Sequence, residues 1–352
     1  MVLAVFAIPG DITLPTGGYT YDREVLARLP AAGVEVSHLA LPAGYPDPSP
    51  DDITHTAELV AATPPGAVLL IDGLAYGAMP AALIERFDRP IVALVHHPLC
   101  LEAGLRPSRV EALRTLEIAA LARASLVVAT SPMTARTLTA DFDVPPERIT
   151  VAEPGTDPAA RARGSTSERI ALLAVGSVVP RKAYDVLVRA LEIDVGARVA
   201  DWHLSIVGAL DRSPATLAEL REQIARAGLG ASIELLGAKS RAELDALYDQ
   251  ADIFVLSSHY EGYGMVLAEA LARGLPIVCT TGGAAADTVP DGAGVKVPPG
   301  DVAAFSHAVG QLIGDPGLRR RMADASWTVG QTLPRWEVTA RQIAGVLRRA
   351  GA

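Results

Sequence analysis

The sequence has little cysteine and no long apolar segment. Two cysteines among 352 residues, Cys100 and Cys279, are too few for a disulfide framework or a cysteine-ligated zinc site. No apolar run reaches the ~18 residues that span a bilayer. The apolar start Val2–Ile8 has no basic residue before it, because the first is Arg23, so it does not resemble a signal peptide. We therefore expect a reducing, cytoplasmic setting.

Positive charge is also scarce. Lysine and arginine total 31 against 40 aspartates and glutamates, a net charge of −9, which argues against non-specific nucleic-acid binding. Only three basic residues are lysines, Lys182, Lys239 and Lys296. Since arginine is the usual basic residue of this chain, each lysine is a candidate for a specific role.

Short, almost wholly apolar runs recur along the chain, each four to eight residues long. This pattern is typical of strands that are buried on both faces of a parallel sheet. Twelve such strands are predicted: Val2–Pro9, Val34–Leu41, Ala67–Asp72, Pro90–His96, Ser125–Thr130, Ile149–Ala152, Ile170–Gly176, His203–Gly208, Ser232–Gly237, Asp252–Ser257, Pro276–Thr281 and Gly294–Val297.

The stretches between these runs have helical periodicity, as in Arg109–Arg123, Ala215–Ala227 and Arg241–Ala251. Alternation of strand and helix predicts an α/β protein with two doubly wound units, and a single barrel is less consistent with twelve strands. The polar stretch Asp157–Arg169 is predicted to be the linker, and Pro334–Ala350 the last helix. Ligands of such sheets bind beyond the carboxyl ends of the strands.

The strongest motif is the stretch Ser257–Glu269, in which a strand ends, a loop carries Glu261, and a helix begins near Gly264. Amides at a helix N-terminus favour anions, while Glu261 before the helix and Glu269 within it could bind sugar hydroxyls. The predicted diphosphate ligands are the amides of Gly264, Met265, Val266 and Leu267.

This E-x7-E spacing, followed by the residues Ala270–Val278, resembles the donor site of the family 4 retaining glycosyltransferases. The resemblance covers nearly the whole chain. It implies the GT-B fold, in which two Rossmann-like domains face each other across a cleft and the C-terminal helix crosses back to the first domain. It places an acceptor-side domain at residues 1–160, with the crossing helix at 332–352, and a donor-binding domain at 168–331.

The segment Leu172–Asp185 matches the part of the family that holds the donor diphosphate. The family has an arginine just after the glycine and a lysine about five residues later. Lys182 matches the lysine, but Ser177 stands where the arginine is expected. Either Arg181 supplies the missing guanidinium or it is a solvated surface residue, and the sequence leaves both interpretations open.

A histidine pair, His96 and His97, follows the fourth strand. The resemblance implies that a histidine here reaches the transferred sugar; the register favours His96, with His97 as the alternative. A histidine pair can also bind metal, but adjacent side chains at a strand end tend to point apart, so no metal is expected. The loop Thr16, Gly17 and Gly18 resembles the family's glycine-rich loop beside the acceptor and the donor phosphate.

A second glycine pair, Gly282 and Gly283, follows the strand Pro276–Thr281. In the family this loop lies near the donor sugar, so Gly283 is a possible site residue. The family's acidic residue is displaced by one position here, to Asp287, and its role stays open.

The family resemblance implies a hexosyl transfer from a UDP- or GDP-linked sugar to a hydroxyl group of a glycan, lipid or small molecule, with retention of anomeric configuration. It implies Glu261, His96 and Lys182 as catalytic residues, with no cofactor, no metal, no nucleic acid and at most peripheral membrane contact. The alternatives are a sugar-nucleotide 2-epimerase on the same fold and a non-catalytic nucleotide-sugar-binding subunit.

Overall fold

A computed structural model describes residues 2–195 and 201–352 of the protein. Met1 and residues 196–200, which the predicted domain ranges include, lie outside the described residues. The described chain forms two compact units. The first unit comprises the residues up to Gly155 together with Pro334–Ala352, and the second comprises those within Thr156–Leu333. The assignment of one domain to the acceptor and the other to the donor stays a prediction.

All twelve predicted strands are present, with ends that differ from the prediction by at most one or two residues. They are β1 Val2–Pro9, β2 Val34–Leu41, β3 Val68–Asp72, β4 Ile91–Val95, β5 Leu126–Ala129, β6 Ile149–Val151, β7 Ile170–Val175, β8 Trp202–Val207, β9 Ile233–Gly237, β10 Ile253–Leu256, β11 Ile277–Thr280 and β12 Gly294–Val297.

Each unit holds one six-stranded parallel sheet. The strand order is β2-β1-β3-β4-β5-β6 in the first unit and β12-β11-β10-β7-β8-β9 in the second. Both orders reverse direction beside the first strand of the unit, between β1 and β3 and between β7 and β10. Loops diverge at such a switch point and leave a crevice at the carboxyl ends of the strands. The α/β fold predicted from the apolar runs is therefore confirmed.

Helices connect these strands, as the parallel arrangement requires. They are α1 Gly17–Arg28, α2 Pro50–Ala61, α3 Gly73–Tyr76, α4 Ala81–Ile84, α5 Pro107–Arg123, α6 Pro132–Asp141, α7 Tyr184–Ala190, α8 Pro214–Arg226, α9 Arg241–Gln250, α10 Met265–Ala272, α11 Ala285–Thr288, α12 Val302–Gly314, α13 Pro316–Gly330 and α14 Trp336–Ala350. Within the described residues, no helix combines the length and the apolar character that crossing a bilayer requires.

The last helix, α14, packs on the sheet of the first unit, as predicted. The rings of Trp336 and Tyr21 meet edge to face at 5.7 Å, and the Thr339 hydroxyl donates to the Glu153 carbonyl at 2.6 Å. A Cβ at Gly155 would lie 2.2 Å from the Trp336 nitrogen, so only glycine permits this approach. The helix begins at Trp336 rather than at the predicted Pro334, because the extended Arg335 is its N-cap.

The polar segment predicted as a linker packs along the second unit. The Ala162 amide donates to the Arg273 carbonyl at 2.9 Å, and the Arg163 amide donates to the Asp249 carbonyl at 2.9 Å. These backbone bonds hold the segment against the second unit.

Candidate functional site

Glu261 lies in the loop after β10 and is only 6% exposed. Its Oε1 accepts hydrogen bonds from Lys182 Nζ at 2.6 Å and from Ser258 Oγ at 2.5 Å. Its Oε2 lies 3.4 Å from Arg181 Nη1. We refer to Glu261, Lys182, Arg181 and Ser258 as the Glu261 cluster. It joins the carboxyl ends of β7 and β10, at the switch point of the second sheet.

The Glu261 cluster keeps its carboxylate ionised. Burial raises the pKa of Glu261, but the charges of Lys182 and Arg181 and the hydrogen bonds from Lys182 and Ser258 outweigh burial and lower it to about 2. One anion faces two cations, so the cluster carries an excess of positive charge. The Arg181 side chain is only 18% exposed and is part of this cluster, and its role as the substitute for the family arginine stays a prediction.

Lys182 reaches Glu261 because glycine leaves room beneath its side chain. A Cβ at Gly176 would lie 2.8 Å from Lys182 Cε. The backbone turns at Ala183, which has a φ of +48°, and the Ser257 hydroxyl donates to the Lys182 carbonyl at 3.0 Å. The lysine is thus held at its backbone and over its stem, which leaves its ammonium group little freedom.

The Gly282–Gly283 loop holds the backbone of Glu261 in place. The Glu261 amide donates to the Gly282 carbonyl at 3.2 Å, and the Ala284 amide donates to the Glu261 carbonyl at 2.8 Å. Gly283 has a φ of +65°, and a Cβ there would lie 2.3 Å from the Glu261 carbonyl oxygen. Both the positive φ and the short contact exclude any residue other than glycine at position 283. Asp287 lies on α11, and its role stays open.

Helix α10 begins beside the Glu261 cluster. Gly264 is its N-cap with a φ of +86°. The Leu267 amide donates to the Gly264 carbonyl at 2.8 Å, so one of the four amides predicted as diphosphate ligands is engaged within the turn. The amides of Met265 and Val266 precede it in the first turn, where helix geometry offers no intrahelical acceptor.

Glu269, one turn further along α10, has a different set of partners. The Tyr248 hydroxyl donates to its Oε2 at 3.0 Å, and Arg241 Nη1 lies 3.5 Å from its Oε1. Burial raises the pKa of Glu269, and Arg241 partly opposes this. Sequence reasoning missed Arg241 and Tyr248, because nothing in the periodicity of α9 distinguishes them from other helix residues. Ser177 follows Gly176 and is partly exposed.

In the first unit, His96 follows β4 and lies between two buried carboxylates. Its Nε2 is 3.1 Å from Asp72 Oδ2 and 3.4 Å from Asp22 Oδ1. Asp72 ends β3, whereas Asp22 lies on α1 and is fully buried. We refer to His96, Asp22 and Asp72 as the His96 cluster. Because Asp22 and Asp72 are distant from His96 in sequence, the sequence analysis did not identify this cluster.

The His96 cluster carries an excess of negative charge. Burial lowers the pKa of His96, but the nearby carboxylates of Asp22 and Asp72 raise it to about 10. Burial and the charge of Asp72 raise the pKa of Asp22 to about 7, against the influence of His96. Within the described residues, these three form the one group whose ligand atoms are close enough for a metal ion. Its groups already pair with one another, and we assign no metal.

The glycine-rich loop lies beside the His96 cluster. Thr16 caps α1 by accepting a hydrogen bond from the Tyr19 amide at 3.2 Å. A Cβ at Gly18 would lie 3.6 Å from the His96 ring, so the loop and the histidine are neighbours. His97 has another partner, because its Nε2 lies 3.2 Å from Glu102 Oε2.

Two family models match the chain. The description "Glycosyl transferases group 1" applies to residues 157–327, and "Glycosyltransferase Family 4" applies to residues 68–160. The chain belongs to glycosyltransferase family 4. Together the two matches run from residue 68 to residue 327 of this family 4 chain, and they include Asp72, His96 and the Glu261 cluster.

Curated relatives carry glycosyltransferase names. A D-inositol 3-phosphate glycosyltransferase of Nocardioides sp. is 31% identical over 65% of this chain and 54% of its own length. A D-inositol 3-phosphate glycosyltransferase of Thermobispora bispora is 30% identical over 76% of this chain and 66% of its own length. The family 4 chain thus spans between about half and two thirds of these relatives.

Solved structures show the same fold. Sucrose-phosphate synthase of Thermosynechococcus elongatus has a TM-score of 0.82 at 21% identity, with 98% of each chain covered. HepE of Anabaena, solved with UDP and glucose, has a TM-score of 0.77 at 17% identity, with 98% of this chain and 100% of HepE covered. The family 4 chain therefore has the predicted GT-B fold.

Proposed function

We propose that this chain is a retaining glycosyltransferase that transfers a hexosyl unit from a UDP- or GDP-linked sugar to a hydroxyl group. The observation that carries the proposal is the buried Glu261 cluster, in which two cations and an ionised carboxylate meet beside a helix N-terminus. The donor is proposed to bind the second unit, and the acceptor the first.

Lys182 and Arg181 are proposed to neutralise the charge that develops on the leaving diphosphate. The amides of Met265 and Val266 at the start of α10 add further donors. Fixed donors of this kind typically contribute about 3–4 kcal/mol each to transition-state stabilisation. These groups supply the positive charge locally, which supports a reaction without a required metal.

Glu261 is proposed to orient the sugar rather than to attack it. Lys182 and Ser258 occupy Oε1 and Arg181 lies beside Oε2, and hydrogen bonds to an anion reduce its nucleophilicity. The leaving phosphate then accepts the proton of the acceptor hydroxyl on the same face of the sugar. Glu269 is proposed to bind the ribose hydroxyls, with Tyr248 and Arg241 fixing its carboxylate.

In the first unit, the loop Thr16–Gly18 and His96 are proposed to bind the acceptor or the transferred sugar. Their proximity supports this role, since a Cβ at Gly18 would touch the His96 ring. The names of the relatives include a D-inositol 3-phosphate glycosyltransferase and a phosphatidylinositol monomannoside mannosyltransferase. Inositol phosphates and mannosides are therefore the first acceptors to test.

The test is a panel of UDP-, GDP-, ADP- and dTDP-linked sugars, screened first by thermal shift and then for transfer. A ligand at 100 times its Kd stabilises the folded state by about 2.7 kcal/mol. The anomeric configuration of the product is read by NMR, and retention is expected. Conversion of the sugar nucleotide without an acceptor would instead favour the epimerase.

Two substitutions check the roles of the glutamates. Glu261→Ala should abolish transfer, whereas Glu269→Ala should chiefly raise the Kd for the donor. Near-normal turnover in folded Glu261→Ala would contradict the site assignment. Donor binding with neither transfer nor hydrolysis, over the full acceptor panel, would favour a binding subunit.

A further inference from the structure

The two ring nitrogens of His96 have different surroundings. Nε2 lies within 3.4 Å of both carboxylates of the His96 cluster. Nδ1 has no hydrogen-bond partner within the described part of the chain. The side chain is 21% exposed, whereas the carboxylates of Asp22 and Asp72 are almost completely buried. Nε2 is therefore anchored, and Nδ1 is the nitrogen that is left to meet a ligand.

The charges around the ring favour its protonated form. The titratable groups that face it are Asp22 and Tyr21 from α1, with the Tyr21 ring edge-on at 5.2 Å, and Asp72 from the end of β3. Neither Asp22 oxygen has a hydrogen-bond partner among the described residues. A buried carboxylate without such partners requires a nearby cation or a proton, and the imidazolium at 3.4 Å is that cation.

We propose that Asp22 and Asp72 are positioning residues, which hold His96 as a charged ring whose Nδ1–H donates a hydrogen bond to a hydroxyl oxygen of the bound sugar or acceptor. The proposal rests on the proposed glycosyltransferase function. Above about pH 7, where Asp22 has lost its proton, one imidazolium and two carboxylates leave the cluster with excess negative charge, so it suits a neutral hydroxyl better than a phosphate. With both nitrogens protonated, His96 cannot serve as the general base.

The charge state can be measured without any substrate. In the full chain with labelled histidines, NMR chemical shifts report the protonation of each ring nitrogen, and His96→Gln assigns the signal. We expect both His96 nitrogens to be protonated at pH 8, with a pKa of about 10. Asp72→Asn and Asp22→Asn should each lower this pKa toward the ordinary value of a histidine, near 6.5. The exposed His55 on α2 is the internal reference.

Three NMR outcomes would overturn the proposal. These are a neutral His96 at pH 7 in the wild type, an unchanged pKa in both asparagine variants, and a shift of the His96 signal on addition of Zn²⁺, which would indicate a metal site instead. If an asparagine variant loses its dispersed spectrum, Asp22→Glu and Asp72→Glu replace it. These variants retain the charge and should retain the protonated ring.

Kinetics then separate positioning from a merely structural role. For a substrate pair that the wild type turns over, Asp72→Asn should lower kcat/KM for the acceptor about 10- to 100-fold at pH 8. The kcat/KM of this variant should recover at pH 5.5–6, where the His96 ring regains its proton. A loss that is equal at both pH values would contradict the proposal. If no pair is turned over, the proposed function fails, and the NMR result still decides the charge of His96.

Discussion

The two units place opposite arrangements of charge at the carboxyl edges of their sheets. In the second unit one carboxylate, Glu261, lies between two cations. In the first unit one imidazole, His96, lies between two carboxylates. Both clusters lie at the carboxyl ends of strands. The Glu261 cluster lies at β7 and β10, which flank the switch point of the second sheet, and the His96 cluster lies at β3, which flanks the switch point of the first sheet, and at the next strand, β4. The same architecture thus presents excess positive charge in one unit and excess negative charge in the other.

This difference fits two kinds of ligand. An excess of cations stabilises a bound diphosphate. The stabilisation increases in the transition state, because negative charge develops on the diphosphate as it leaves the sugar. An excess of carboxylates disfavours phosphate but accommodates hydroxyl groups, which can donate and accept hydrogen bonds. We infer that the opposite charges distinguish the proposed donor-binding unit from the proposed acceptor-binding unit. Strand order distinguishes them less clearly, because both sheets are built alike.

The largest expected effect comes from removing the cation that pairs with Glu261. Lys182→Ala leaves a buried carboxylate with Arg181 alone, and breaking such pairs typically costs about 3–5 kcal/mol in the free energy of unfolding. Transfer should fall about 10²- to 10³-fold. Arg226→Ala, which breaks an exposed pair with Glu222 on α8, is the control and should cost less than about 0.5 kcal/mol. Denaturation curves and initial rates that match the wild type would contradict the pairing.

Two glycines give the next comparison. Gly283→Ala combines a positive φ with a contact of 2.3 Å to the Glu261 carbonyl, so we expect a loss of about 2–4 kcal/mol and loss of transfer. Gly18→Ala meets only His96 at 3.6 Å and should fold with little change in Tm. Its acceptor KM should still rise, because the methyl group occupies space beside His96. Equal losses of stability in both variants would break the comparison.

Arg181 offers a smaller effect and a rescue. A hydrogen bond to a charged group contributes about 1.5–3 kcal/mol, so Arg181→Ala should slow transfer about 10- to 100-fold. Adding Ser177→Arg restores a guanidinium at the position where the family has one, and it should recover part of the rate. A double variant no faster than Arg181→Ala would show that Arg181 does not substitute for that arginine.

The smallest effect is a dependence of stability on pH, confined to the first unit. The pKa of Asp22 is raised to about 7, so its contribution is greatest below its ordinary pKa near 4 and is lost as pH rises through 7. The raised pKa of His96 acts in the same direction. Between pH 5 and pH 8, Asp22→Asn should therefore gain on the order of 1–2 kcal/mol relative to the wild type.

Hydrogen exchange can resolve this change by unit. Peptides from β3 and β4 should show it, whereas peptides around β10 should not. The pKa of Glu261 is lowered to about 2, so that residue stays ionised throughout this pH range. Equal pH dependence in both sets of peptides would contradict the contrast between the clusters.

Much of the fold was predictable from the sequence because buried parallel strands are apolar throughout. The run Ile253–Leu256 has no polar residue, and Gly264 marks the start of α10 by its positive φ. Lys182 stood out because lysine is rare here. The proximity of Lys182 and Glu261 followed from the rule that strand ends converge at one edge of a sheet.

The partners of His96 were not predictable in this way. Asp72 ends a strand, so the same rule could have singled it out. Asp22 lies within a helix, where an aspartate is usually exposed, and its burial depends on how α1 packs against α14 and beside His96. Contacts of this kind depend on tertiary packing, which periodicity does not record. The Arg241–Glu269 pair was missed for the same reason.

The most direct test of the account is a crystal structure of the chain with an intact sugar nucleotide from the binding screen. The account predicts diphosphate oxygens within about 3 Å of Lys182 Nζ and of the first amides of α10, with a sugar hydroxyl on Glu261. A diphosphate bound elsewhere, with Lys182 still directed only at Glu261, would contradict it.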